Sequence, residues 1–285
     1  MRGSRTLFLA CVALLGALLD TGCAPAASRE IRLVPMPATG PPVGRIPRED
    51  YEAALGAIGD VFEREIGLPR PQVSLVLFPD RKAFEDGLRA VGYSPSFARQ
   101  TARNFHAIGG AKAVLVNEGS LRQAPWEDRI LVLAHELVHS AQYALGGGVR
   151  GASEQWLREG FAELVAMEVA DRLGIRRYAD LREALLGPLV SVRPDARPAP
   201  LARLSTFQEW AAAQGRYEVP LYPQAFAATE LLVERHGREA VIRYFTLFRT
   251  SQDRHANFAA AFGTRLEDVD RELGQRWPRL RALGR

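Results

Sequence analysis

Lysine is almost absent from this chain of 285 residues: Lys82 and Lys112 are the only two, so arginine carries nearly all of the 37 basic side chains. Those arginines are interspersed among 33 acidic residues, leaving a formal charge of +4 and no long basic run. The footprint of a nucleic-acid binder, a basic face with interleaved aromatics, is therefore missing. Cysteine is as scarce. Cys11 and Cys23 both lie in the first 23 residues. The body beyond them has none, which excludes disulfides and a cysteine nucleophile there. No apolar run is long enough to span a bilayer comfortably; residues 7–19 give about 13. With 47% hydrophobic and 25% charged residues, the composition is that of a globular protein and argues against disorder throughout.

The N-terminus reads as an export signal. Arg2 and Arg5 precede the short apolar run, which has the size of a signal-peptide core. A short membrane anchor is the weaker reading. "LLDTGCA" places Gly22 before Cys23 and resembles a bacterial lipoprotein signal, although Asp20 stands where an apolar residue is usual. Cleavage after "APA" at 24–26 is the alternative. The expectation is a signal peptide over 1–23 with a lipid on Cys23. That would place the protein at a bacterial cell envelope, held to the membrane or released. Residues 24–48 carry six prolines and read as an extended linker. The folded domain is expected over 49–285.

Within that domain the pattern is α+β. Apolar spacing over 49–67 predicts a helix ended by Gly67. "QVSLVLFPD" (72–80) and "AKAVLVNE" (111–118) read as strands, with 81–91 helical between them. Pro125 opens a long helix with Glu127 and Asp128 in its first turn, and "GGG" at 146–148 ends it. Ser153 is placed to cap the next helix, which runs to Leu173. Residues 187–203 are proline-rich and read as loop, and Ser205 with Gln208 fits a capping box. Helices follow at about 222–236, 238–249, 254–262 and 266–278. The expected architecture is a small N-terminal sheet with the long helix, then a mainly helical part over 151–285.

The chemistry concentrates in "LAHELVHSAQ" (133–142). In a helix, His135 and His139 project from one face a turn apart, so both imidazoles can reach one ion. Glu136 is turned about 100° from His135, near the ion without ligating it. Chance produces such a pattern in roughly one chain in 150 of this composition, so the stretch alone does not decide. A buried helix with satisfied histidines is the simpler reading. It leaves unexplained why two imidazoles and a carboxylate share an otherwise apolar helix, where unpaired burial costs several kcal/mol. "WLREGFAELVA" (156–166) supplies the third donor: Glu159 lies 20 residues after His139, on a helix able to return antiparallel. Glu163 shares its face and could orient a ligand histidine. Gly160 would let the two helices approach closely.

"HELVH" followed by "WLREGFAE" resembles the gluzincin zinc metallopeptidases, most closely the peptidase MA-like group, and "YPQAFAATELLVERHG" (222–237) is similar to a later helix of that group. The resemblance covers about residues 70–275 and implies a zincin-like fold. Carried over residue by residue, it implies one zinc ion on His135, His139 and Glu159, with Glu136 as general base. It further implies an endopeptidase cutting peptide or protein substrates with water activated by the metal. Tyr222 is the first candidate to stabilise the oxyanion and Tyr217 the second; each could as well be a packing tyrosine. His106, His236 and His255 have weaker claims. Residues 114–117 would be the edge strand that holds extended substrate. An aminopeptidase G-x-M-E-N motif is missing, which argues against cleavage from a free N-terminus. Two other functions keep the same residues: a catalytically silent binding lipoprotein, and an amidase of cell-wall peptides. Specificity is expected from loops 92–110 and 187–203.

Overall fold

The computed structural model describes residues 30–282 apart from 43. The signal peptide and Cys23 lie outside the described residues. Among those described, no helix is long and apolar enough to cross a membrane.

In chain order the elements are β1 (Arg32–Pro35), α1 (Tyr51–Val61), β2 (Ser74–Phe78), α2 (Arg81–Ala90), α3 (Pro95–Asn104), β3 (Ala107–Gly109), β4 (Ala113–Asn117) and a single turn, α4 (Glu118–Leu121). The long α5 (Trp126–Leu145) and α6 (Gln155–Arg172) follow, then α7 (Tyr178–Leu186), α8 (Phe207–Ala213), α9 (Leu221–His236), α10 (Arg238–Leu247), α11 (Arg254–Phe262) and α12 (Leu266–Ala282). The class is α+β: one small sheet and a predominance of helix.

The two apolar runs form the middle of the sheet, whose order is β1-β2-β4-β3. β2 and β4 are parallel, while β1 and β3 flank them antiparallel. Side chains alternate between faces. Leu75, Leu77, Val114 and Val116 enter the main core with α1 and α5. Phe78 and Leu115 pack under α2 and α3, against Phe84, Leu88 and Ala98. A sheet covered on both faces has apolar residues at successive positions, which is why these runs lack a polar alternation.

Several boundaries differ from those expected. The proline-rich stretch 24–48 is not all linker, because β1 pairs with β2 inside it. Proline is compatible with that position because an edge strand has no ladder partner on one side. Residues 114–117 are not an edge: β3 covers β4, so β3 is the outer strand. The segment 92–110 holds α3, capped by Ser94 with Pro95 in the first turn, as well as β3. α6 begins at Gln155 without a side-chain cap, so Ser153 does not cap it. The capping box is Thr206 with Glu209, one residue on from Ser205 and Gln208.

α6 lies between α5 and α9 and is buried almost all round. Gly160 sits at its crossing with α9, not with α5: a Cβ there would stand 2.2 Å from the Ala225 carbonyl oxygen. Trp156, Phe161, Phe226 and Tyr244 fill the fully buried centre of the helical part.

Candidate metal centre

α5 and α6 build the site. His135 and His139 stand one turn apart on α5, with their Nε2 atoms 3.2 Å from one another. α6 returns beside them and brings in Glu159. Its Oε2 is 3.5 Å from His135 Nε2 and its Oε1 3.7 Å from His139 Nε2. Donor atoms of the three side chains all lie within 4.8 Å of one another. His135 and Glu159 are buried and His139 is partly buried.

The donor set can be tested against an ion. Tetrahedral ligands at zinc–nitrogen and zinc–oxygen distances of about 2.0–2.1 Å stand roughly 3.3 Å apart. The two nitrogens, 3.2 Å apart, meet that spacing; Glu159 comes to 3.5 and 3.7 Å of them through its two separate oxygens, and single donor atoms of all three residues stay within 4.8 Å, so a rotation of the carboxylate would bring one oxygen toward both nitrogens. Two nitrogens and one carboxylate are a zinc donor set that leaves a fourth position open.

The outer nitrogens are held as well. Gln142 Nε2 donates to the Arg158 carbonyl at 3.0 Å, which fixes the amide. Its Oε1 then faces His139 Nδ1 at 3.1 Å and must accept, so that ring carries its proton on Nδ1. Glu163 Oε1 lies 3.4 Å from His135 Nδ1. Both rings are thereby oriented with Nε2 toward Glu159.

The field of the site favours a compact positive charge at its centre. Burial opposes the charged form of His135, but the Glu163, Glu159 and Glu136 carboxylates outweigh it and raise its pKa well above the ordinary value. Burial also opposes charge on Glu159. The two imidazoles overcome that and hold its carboxyl far below the usual carboxylate range. A cation bound here would displace protons, coupling its uptake to proton release.

Glu136 is not one of the three donors. Its Oε2 accepts the Gly109 N–H of β3 at 2.6 Å, which ties this carboxylate to the outer strand. Gln155 Nε2 donates to Glu159 Oε1 at 2.6 Å and steadies the third donor. Gln142, Gln155, Gly109 and Arg158 have no sequence motif of their own. Their roles come from neighbours brought in by the fold.

The cluster opens into a cleft of about 710 Å³, bordered by α3, β3, α5, α6 and the α8–α9 region. Its rim is aromatic: Tyr93 stacks on Phe97 at 4.7 Å, and Phe97 meets Phe207 of α8 at 5.2 Å. Segment 92–110 thus lines the cleft as expected, whereas 187–203 does not; residues 205–208 do. Tyr222 is in the lining, its ring set edge-on to Trp210 at 5.2 Å. Tyr217 lies outside it and packs on the main core. The other histidines are also outside. His106 is bonded to Ser120 at 2.9 Å, His236 packs on Phe262 and His255 is exposed. Burial lowers the pKa of both His106 and His236.

Comparison with known protein families, with curated proteins and with solved structures finds no match to this chain, so the chemistry of the site is read from its own atoms.

Proposed function

We propose that this chain is a zinc-dependent endopeptidase of zincin-like design. The supporting observation is the mutual placement of four side chains. His135, His139 and Glu159 converge at ligand spacing, and Glu136 stands beside them without joining them. Zinc held by the three would polarise a scissile carbonyl and lower the pKa of a water to about 7.

The protein's own groups do the rest. The Gly109 N–H holds Glu136 Oε2, leaving Oε1 to take a proton from the attacking water and return it to the leaving amine. Glu163 and Gln142 keep both imidazoles facing inward. Tyr222 lines the cleft and is the candidate donor to the developing oxyanion. β3 borders the cleft, so it takes the role of substrate-aligning strand first given to residues 114–117. A lipid on Cys23 would hold this domain at a bacterial envelope.

The test has two readouts on purified protein. Metal analysis is expected to find one zinc per chain, lost in His135→Ala and Glu159→Ala. A digest of a peptide library is expected to show cleavage that a chelator abolishes and added zinc restores. Zinc-replete protein that cleaves nothing in the library would remove the peptidase reading. Gln142→Met tests the outer arrangement: zinc affinity is expected to fall about 10–100-fold while the fold is kept. Unchanged affinity by competitive chelator titration would mean that Gln142 does not orient His139.

A further inference from the structure

The cleft contains two cations to which the proposed hydrolysis gives no chemical step. Arg150, between α5 and α6, and Arg158, near the start of α6, both line it. Arg158 is only 3% exposed. Among the described residues, no carboxylate forms an ion pair with either guanidinium. Arg158 Nη1 reaches the Arg150 carbonyl and the Ser153 hydroxyl, each at a long 3.4 Å. Its guanidinium also sits 5.4 Å from the Tyr143 ring centre. Arg254, at the same cleft, differs: Glu154 stands 3.8 Å away, and Arg254 Nε donates to the Ala152 carbonyl at 2.8 Å.

A buried guanidinium with no carboxylate in contact is costly, and its planar fork of five donors matches a carboxylate. An arginine keeps its charge at neutral pH, so the demand for an anion persists there. The place of the pair relative to the metal centre is fixed by a short relay. Arg150 donates to Gln155 Oε1, and Gln155 Nε2 donates to Glu159 Oε1 at 2.6 Å. Arg150 therefore stands one side chain away from Glu159, and Arg158 reaches the Arg150 carbonyl.

We infer that Arg158, aided by Arg150, binds a substrate carboxylate beside the His135–His139–Glu159 cluster, so that accepted peptides carry an acidic side chain or a free C-terminus close to the cleaved bond. This rests on the peptidase reading of the cluster, but its test does not need turnover. Three fluorescent peptides of one neutral sequence serve as probes: one with a single glutamate and an amidated end, one with a free C-terminus, and one amidated and uncharged. Each is titrated by anisotropy into zinc-loaded Glu136→Gln protein, alone and combined with Arg158→Gln, Arg158→Lys or Arg150→Gln.

At least one acid-bearing peptide is expected to bind about tenfold or more tightly than the uncharged one. Which of the two does so identifies the source of the carboxylate. Arg158→Gln is expected to erase the preference and Arg158→Lys to retain part of it. If Arg158→Gln does not fold, Arg150→Gln carries the test, with the preference expected to fall about threefold or more. Equal affinities for all three peptides, or a preference that survives both glutamine variants, would overturn the inference. The two readings also fail separately. Selective binding without cleavage of any peptide by the unmodified protein keeps the carboxylate site and removes the peptidase. Equal cleavage of all three peptides keeps the peptidase and removes the carboxylate site.

Discussion

Glu136→Gln is expected to lower peptide hydrolysis by about 10²–10⁴-fold while leaving the zinc content and the fold unchanged. The geometry makes this substitution a clean one. Glu136 is buried and is not among the three converging donors. Its Oε2 accepts the Gly109 N–H at 2.6 Å, and a glutamine oxygen can accept the same bond. Size and hydrogen bonding are thus preserved, and what is lost is the ability to take a proton. Metal analysis with steady-state kinetics on one cleavable peptide checks both halves. Activity within a few-fold of the unmodified protein would mean that another group handles the proton. Loss of zinc would mean that Glu136 is a ligand or shapes the ligands.

Two of the three candidate donors were legible because helical period does the positioning. Residues four apart on one face meet on any straight helix, so His135 and His139 needed no tertiary information. Glu159 was legible only through its place on a second helix able to return antiparallel and the likeness of "WLREGFAE" to a known motif. β3 was not legible. Three residues, "AIG", show no periodicity, and their role comes from pairing with β4 and contact with α5. That pairing is also why 114–117 turned out interior rather than edge. α3 did carry local signs, with Ser94 and Pro95 at its start, but its polar composition reads as loop. The capping box was ambiguous by one residue, since Ser205/Gln208 and Thr206/Glu209 both fit the spacing. Structure separates them, because the Ser205 hydroxyl is turned to the carbonyls of Leu201 and Ala202. The amides of Gln142 and Gln155 have no pattern at all; only the meeting of α5 with α6 gives them partners.

The same substitution is expected to act with opposite sign at two helical glycines. Gly160→Ala should destabilise the protein by about 3 kcal/mol or more, whereas Gly274→Ala should stabilise it by roughly 0.5–1 kcal/mol. Both sit inside helices, where alanine is intrinsically better than glycine. At Gly274 a Cβ meets nothing within 4 Å, so only that gain remains. At Gly160 the new carbon would stand 2.2 Å from the Ala225 carbonyl oxygen, 2.6 Å from its carbon and 2.3 Å from Thr229 Oγ1. Two of those atoms are backbone, so no rotamer change relieves the clash and α6 must move away from α9. α6 carries Glu159 and Glu163, so the displacement reaches the candidate metal centre from the far side of the helix. At about 2–4 °C per kcal/mol for a chain of this size, Tm should fall by roughly 6–12 °C in Gly160→Ala. Zinc affinity should weaken with it, although the substituted residue is no ligand. Calorimetric scans of both variants, with zinc and with chelator, check the pair. A Gly160→Ala protein as stable as the unmodified one, with unchanged zinc affinity, would show that α6 is not pinned between its neighbours, and the rigid placement of Glu159 would lose its physical basis.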